Sequence, residues 1–375
     1  MEKRAVCISC YNFYEHRVEL VLERLRALGY ACTYITGDYS HFTRQEYHID
    51  YPDSEQVPTL RYRRNVSPQR IRSHLKFSRD VFRRVEQLGP ELVYVMVPPN
   101  SLSREAAAYK KRHPDTRLIL DIYDLWPESF PSDKVKRLAA LPFALWGRFR
   151  DVGLQSADIV YTECRLFAQV LGKRLAGKDV RLLPLCRERA TTADPVAPAG
   201  EELGLCYLGS IGKLLDIDAL TALIREAVRL RPVALHIVGE GETREQLIAA
   251  AREAGARVVH HGRLYGEAER QAIFDQCHFG INMMKDSVRV GLTMKSLDYF
   301  AGGLPILNTI AGDTRENIAA YGAGIEVDRA DIAAAARRAA GMTREQNTAM
   351  RRAALRMFRE NYTVEQVRHI LAGLE

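Results

Sequence analysis

The chain has 375 residues, 47% of them hydrophobic and 27% charged, and at roughly 100–200 residues per domain this suggests two globular domains. No segment approaches the ~18–20 uninterrupted apolar residues of a membrane span, and the opening MEKRAVCISCYNFYEHR lacks the apolar core of a signal peptide, so a cytoplasmic protein is expected. The net charge of +7 is unevenly placed: residues 1–190 hold 32 Lys and Arg against 23 Asp and Glu, and the remainder 22 against 24. An excess of basic residues confined to one half points to an anionic partner for that half.

In chain order, AVCIS (5–9) predicts a strand and 17–28 a helix, with Leu20, Leu25 and Leu28 on one face and Gly29 as its stop. Cys7 and Cys10 form a CxxC pair on that strand and its exit. They have no second pair and no spaced histidines, so packing is favoured over zinc or redox chemistry. ACTYIT (31–36), a very basic helix over 68–88, LVYVMV (92–97), a helix over 103–112, RLILDIY (117–123) and DIVYT (158–162) follow. Apolar runs alternating with helical patterns read as buried parallel strands in βαβ units. The stretch 191–200 (TTADPVAPAG) reads as a linker. Beyond it the alternation restarts with LGLCYL (203–208), ALHIVG (234–239), RVVHH (257–261), FGINMM (279–284) and LPILN (304–308). The simplest architecture is two doubly wound α/β domains whose strand ends face a common cleft.

Three glycine-bearing turns follow strands in the second half: Gly209-Ser210-Ile211-Gly212-Lys213, Gly239-Glu240-Gly241 and Gly262-Arg263. Glycine lets backbone amides approach a phosphate, and a following helix N-terminus favours negative charge. The densest stretch is 285–307, KDSVRVGLTMKSLDYFAGGLPIL. Here Gly291-Leu292-Thr293 turns the chain into a helix over 294–300 that Gly302-Gly303 ends. Lys295 and Asp298 are neighbours on one helical face. They form either a solvated ion pair or a donor site, in which Lys295 meets a diphosphate and Asp298 accepts from ribose hydroxyls.

This stretch resembles the donor-site helix of family 4 of the retaining GT-B glycosyltransferases, through Asp298-Tyr299-Phe300-Ala301-Gly302-Gly303-Leu304-Pro305-Ile306. Tyr207-Leu208-Gly209-Ser210, Ile237-Val238-Gly239-Glu240-Gly241, His261-Gly262-Arg263-Leu264 and the tail from Asn361-Tyr362-Thr363 fall in the family's order. Asp124-Leu125-Trp126-Pro127-Glu128-Ser129 resembles a motif of bacterial polysaccharide members. The resemblance implies an α/β GT-B fold with two Rossmann-like doubly wound domains facing across a cleft. Residues 1–190 would bind the acceptor, 191–200 would link, 201–358 would bind the nucleotide sugar, and 359–375 would form a C-terminal helix returning to the first domain. The donor set it implies is Gly209, Ser210, Lys213, Gly239, Arg263, Leu264, Lys285, Arg289, Gly291, Leu292, Thr293, Lys295 and Asp298.

The chain also departs from the family pattern. Val290 stands where the family has a second acid, with Asp286 close by, and Ser210 stands where it has an arginine, a charge Lys213 would supply. On the acceptor side Asp121 and Asp124 close a strand, and Asp124 is either the group beside the acceptor hydroxyl, with Glu128 behind it, or a turn cap. Asn12, His16, His41 and Trp126 are further acceptor-side candidates.

Asp216-Ile217-Asp218 spells a DxD motif but precedes a helix, so capping is favoured and no metal is expected. No cofactor is implied beyond the nucleoside-diphosphate sugar (UDP, GDP or dTDP) as donor substrate. The segment 134–154 (KVKRLAALPFALWGRFRDVGL) combines five cations with aromatic and aliphatic residues. It reads either as a helix lying in an anionic membrane surface or as an internal helix; no nucleic-acid motif accompanies it. The expected activity is sugar transfer to a lipid-linked saccharide in surface polysaccharide biosynthesis, with retention, at the inner membrane face. The rivals are a sugar-nucleotide epimerase and a non-catalytic sugar-nucleotide or glycan-binding subunit.

Overall fold

The computed structural model describes residues 2–11, 15–40, 43–64, 67–130, 133–188 and 190–375, without the side chains of Glu15, Asp133, Lys134 and Lys136. It divides into two compact units, Met1–Leu185 with Val367–Glu375, and Cys186–Gln366.

The first unit is built on a parallel sheet of β1 (Arg4–Ser9), β2 (Ala31–Gly37), β3 (Ser54–Val57), β4 (Leu92–Val97), β5 (Arg117–Ile122), β6 (Ile159–Thr162) and β7 (Asp179–Leu182). Their order is β3-β2-β1-β4-β5-β6-β7. The crossovers run through α1 (Glu15–Ala27), α2 (Pro68–Leu88), α3 (Asn100–Arg112), α4 (Asp133–Leu138), α5 (Ala140–Ser156) and α6 (Arg165–Leu171). The central strands are apolar and buried because helices cover both faces of a parallel sheet. The chain's last residues belong to this unit too: Arg24 Nε donates to the Leu374 carbonyl at 3.0 Å, and Arg368 pairs with Glu23 at 3.0 Å.

The second unit holds β8 (Leu203–Leu208), β9 (Val233–Val238), β10 (Arg257–Gly262), β11 (Phe279–Asn282), β12 (Ile306–Asn308) and β13 (Gly324–Glu326), ordered β10-β9-β8-β11-β12-β13. Around them lie α7 (Ile217–Val228), α8 (Arg244–Glu253), α9 (Glu267–Phe274), α10 (Met294–Ala301), α11 (Asp313–Tyr321), α12 (Ile332–Ala340), α13 (Arg344–Asn361) and the start of α14 (Val364–Ala372). Both sheets therefore have the doubly wound order, with a reversal between β1 and β4 in one and between β8 and β11 in the other. The stretch 191–200 packs on the second unit: Thr191 N–H donates to the Ala301 carbonyl at 2.8 Å, Arg352 Nε to Asp194 at 2.9 Å, and Ala197 is buried.

The apolar runs expected as strands all form strands. The sequence pattern missed β3, β7 and β13, which are edge strands of three or four residues. All seven cysteines are free. Burial pushes the Cys7 thiol well up and the Cys10 thiol to about 12, so this CxxC pair packs as two small apolar side chains.

Candidate functional site

Ligands of doubly wound sheets sit beyond the strands' carboxyl ends, where the order reverses. In the second unit this is the space above β8 and β11. Gly239 has φ +146, and a Cβ there would lie 2.0 Å from the Gly209 carbonyl oxygen; one on Gly241 would lie 2.2 Å from that of Ile211. The loops after β8 and β9 thus nest backbone to backbone. The Ile211 N–H donates to the Glu240 carbonyl at 3.0 Å and the Thr243 N–H to the Ile211 carbonyl at 3.1 Å. Packing alone requires these two glycines, whereas Gly212 has no atom within 4 Å of its would-be Cβ and leaves the turn open.

α10 enters above the reversal point. Thr293 caps it by accepting from the Ser296 N–H. Tyr299 anchors it: a Cβ on Gly280 would lie 2.7 Å from the Tyr299 ring, so only glycine leaves room for it. The Tyr299 hydroxyl donates to the Cys206 carbonyl at 3.0 Å and accepts from the Leu208 N–H at 2.7 Å. With that face fixed, Lys295 lies over the Tyr207 ring, its Nζ 4.5 Å from the centroid. Burial pulls the Lys295 ammonium down to about 8, and among the described residues no carboxylate pairs with it. One turn on, Asp298 Oδ1 accepts from Arg187 Nε at 2.7 Å. The simple Lys295–Asp298 ion pair is therefore not formed. Asp298 borders a cleft of about 370 Å³ shared with Arg187, Glu267, Arg270, Gln271 and Phe274. Arg187 carries no sequence signal; it stands in an irregular segment after β7.

Beneath α10 runs a polar chain that the sequence also did not disclose. Thr293 Oγ1 donates to Asn282 (3.1 Å), Asn282 to Asn308 (2.8 Å) and Asn308 to Glu326 (2.7 Å), while Arg315 donates to Glu326 at 3.1 Å. It ties the ends of β11, β12 and β13 to the start of α10. Gly291 is held by the Thr314 N–H and hydroxyl, 2.8 and 2.6 Å from its carbonyl, and Leu292 is buried. Ser210, Arg263, Lys285 and Arg289 are exposed, Leu264 is half-buried, and Lys213 makes only a 3.5 Å surface contact with Glu242. Val290 is half-buried. Asp286 and Asp216 both pair with Arg329, at 2.5 and 3.0 Å, and Asp216 caps α7 by accepting from the Ala219 N–H.

In the first unit, the acidic residues expected together at the strand end separate. Asp121 is fully buried, held by Arg17 at 2.5 and 2.8 Å and by the Tyr94 hydroxyl. Arg17 also donates to the Leu183 and Pro184 carbonyls, so this pair locks α1 to β5 instead of facing a ligand. Glu128 forms a bidentate pair with the fully buried Arg150, both contacts at 2.7 Å. Burial raises the Glu128 carboxyl, but the Arg150 hydrogen bonds and charge outweigh it and the net shift is downward. Glu128 therefore acts as a counter-ion.

Asp124 differs. It lines a pocket of about 300 Å³ with Arg70, His74, Trp126, Phe143 and Trp146. Burial lifts its carboxyl above the ordinary Asp value, against a 2.8 Å hydrogen bond from Ser129 and one from the Leu125 N–H. His74 stacks on Trp146 with centroids 6.1 Å apart, and its Nε2 lies 2.8 Å from the Tyr11 hydroxyl. Arg70 donates to that hydroxyl at 3.1 Å. The structure thus joins Asp124 and Trp126 and adds Arg70 and His74, which lay unremarked in the basic helix. His16 sits 3.5 Å from Glu19 on α1. Asn12 and His41 lie outside the described residues.

The segment 134–154 has two faces. Trp146, Gly147, Arg150, Gly153 and Leu154 are buried. A Cβ on Gly153 would lie 1.9 Å from Ser103 Oγ, so α5 packs directly on α3. Outward, Leu138, Leu141 and Leu145 are 81%, 72% and 52% exposed, beside exposed Arg137 and Arg148. For Trp146 and Arg150 the internal alternative therefore holds: both belong to the interior. Among the described residues, no helix is long and apolar enough to cross a membrane.

Two Rossmann-like units, each with the doubly wound strand order, give the chain the GT-B architecture. Residues 204–344 match the sequence model of the glycosyl transferases group 1 family, so the second unit carries a group 1 glycosyltransferase domain. No curated protein matches the chain by sequence. The solved structures to which it is similar in fold include the following three. Sucrose-phosphate synthase from Thermosynechococcus elongatus has a TM-score of 0.67 at 14% identity, covering 98% of this chain and 96% of that one. The lipopolysaccharide outer core galactosyltransferase WaaB has a TM-score of 0.68 at 14% identity, covering 98% and 97%. Anabaena HepE in complex with UDP and glucose has a TM-score of 0.63 at 12% identity, covering 98% and 97%.

Proposed function

We propose that the protein transfers a sugar from a nucleoside diphosphate to a lipid-linked saccharide at the inner face of the membrane, in the assembly of a surface polysaccharide. The observation that carries this reading is the anchored α10, which presents Lys295 and Asp298 from a group 1 glycosyltransferase domain. In this reading Lys295 and the amides of the open Gly209–Gly212 turn take the diphosphate, and Asp298, steadied by Arg187, takes the ribose hydroxyls. The structures of HepE with UDP and of WaaB, a lipopolysaccharide enzyme, agree with that choice of donor and product class.

The acceptor is assigned to the Asp124 pocket, whose apolar walls and raised carboxyl suit a group that accepts a hydrogen bond from the acceptor hydroxyl. As the C1–O bond to the diphosphate breaks, the acceptor oxygen bonds to C1 on the same face and its proton passes to a leaving phosphate oxygen. Retention follows without a covalent enzyme intermediate. Cations and helix termini stabilise the leaving charge, and the reaction is proposed to be metal-independent, since Asp216 is already engaged as cap and ion-pair partner.

Membrane contact is assigned to the outward face of α4 and α5. There Leu138, Leu141 and Leu145 insert while Arg137 and Arg148 meet anionic headgroups.

Thermal unfolding with UDP-, GDP- and dTDP-sugars tests the donor assignment, because a ligand of the folded state raises apparent stability, by about 2.7 kcal/mol at a concentration of about 100 Kd. One base should raise the midpoint; if none does, the reading fails.

A further inference from the structure

The basic excess of the first half has a definite location. Between Glu55 and Asp80 the sequence contains no acidic residue and seven basic ones, four of them in RYRRNVSPQR at 61–70. In the fold a second cavity of about 720 Å³ is lined by Tyr39, Arg44, Arg61, Tyr62, Arg63 and Arg64. Among the described residues, no carboxylate lines it. Arg61 pairs with Glu46, whereas Arg44, Arg63 and Arg64 are exposed and have no carboxylate partner among the described residues. The Tyr39 hydroxyl, donating to the Tyr62 carbonyl at 2.7 Å, fixes the backbone between Arg61 and Arg63.

Like charges gathered around one hollow repel each other, and a surface with no ligand to bind gains nothing from that arrangement. Guanidinium groups also present the forked donors that match phosphate oxygens. The start of α2 reinforces the field: Ser67, Pro68 and Gln69 line the same cavity, and the first turn of this 21-residue helix carries no acid. Ser67 and Pro68 also line the pocket that holds Asp124, so the arginine basin and the apolar pocket adjoin at the start of α2.

We infer that the arginine basin binds a phosphate or diphosphate group of the acceptor while the acceptor's sugar end occupies the neighbouring pocket. The acceptor class is thus a phosphorylated saccharide, an inference that rests on the transfer reaction proposed above. The basin orients the acceptor by its charged end and leaves the reacting hydroxyl beside Asp124.

Segment-resolved hydrogen exchange on the full chain, at low ionic strength with inorganic pyrophosphate, tests this. Pyrophosphate should protect amides in the segment 67–72, and the R63Q/R64Q double variant should weaken that binding roughly tenfold or more, as expected for lost charge-assisted hydrogen bonds. Stabilisation by the cognate nucleotide sugar should be unchanged in the same variant. No protection in that segment, or equal protection in both proteins, overturns the inference. So does protection by phosphatidylglycerol vesicles without protection by pyrophosphate, which would make the basic run a membrane contact. Pyrophosphate protection in a protein that no nucleotide sugar stabilises would instead retain the basin and overturn the transfer reading.

Discussion

The two sheets share one strand order around their reversal points, yet they fill the space beyond it with different material. Beyond β8 and β9 the second unit uses backbone: Gly239 and Gly241 let two loops nest, and α10 is anchored over them by the buried Tyr299. Beyond β1 and β4 the first unit uses side chains, with Arg70, His74 and Trp146 lining the Asp124 pocket and Tyr11 bonded to the first two. Backbone amides and a helix terminus suit a group common to many substrates, such as a diphosphate. Side chains suit the partner that differs from enzyme to enzyme, because they change without disturbing the sheet.

The sharpest way to break this contrast is at Asp124. If it orients the acceptor hydroxyl before the phosphate oxygen takes the proton, Asp124→Asn should slow transfer roughly 10- to 150-fold, as for a lost hydrogen bond to a charged group, with donor affinity retained. Its raised carboxyl adds a sign: the group must be ionised to act, so wild-type rates should fall as pH drops through a value above the ordinary Asp pKa. The asparagine variant should lose that limb. A rate profile identical in both proteins would remove Asp124 from the site. Glu128, four residues on, should behave in the opposite way. Glu128→Ala leaves the buried Arg150 charge with Asp151 as its one carboxylate partner among the described residues and should cost about 3 kcal/mol in denaturant unfolding, with the folded fraction still active. Full stability would contradict the counter-ion assignment.

On the donor side the effects are no larger. Asp298→Asn should weaken the cognate donor by about 1–3 kcal/mol in calorimetry, as for a charge-assisted hydrogen bond, without changing the fold; unchanged affinity would take Asp298 out of the site. Lys295 should add a pH dependence. Its ammonium is held at about 8 in the free protein, and a bound diphosphate raises it again, so binding takes up a proton. Donor affinity should therefore fall, by about tenfold at most, as pH climbs from about 7 to about 9. Lys295→Arg, charged throughout, should flatten the curve, and a slope that survives in that variant would place the titrating group elsewhere.

The same contrast governs what the sequence disclosed. Buried parallel strands write themselves as apolar runs, so β1, β4, β5, β8 and β9 were legible, and the glycines and capped helix marked the second unit's loops. SEQV, DVRL and GIE at the edges bury too little to leave a pattern. Arg187 reaches Asp298 across 111 residues, and Glu128 meets Arg150 across 22. Periodicity cannot report such pairings, which is why the inward face of α5 looked like a basic membrane helix. Its outward leucines remain the part of that expectation open to test. Replacing Leu138, Leu141 and Leu145 by serine should release the protein from anionic vesicles while sparing donor binding, and undiminished sedimentation would exclude this face.

The central claim is transfer, and product analysis tests it most directly. The protein is incubated with the stabilising nucleotide sugar and phosphorylated saccharide acceptors, and the new linkage is characterised by NMR. The account predicts a glycosidic bond with the donor's anomeric configuration and release of the nucleoside diphosphate. Recovery of an epimerised nucleotide sugar, or of unconverted donor with every acceptor despite tight binding, would contradict it.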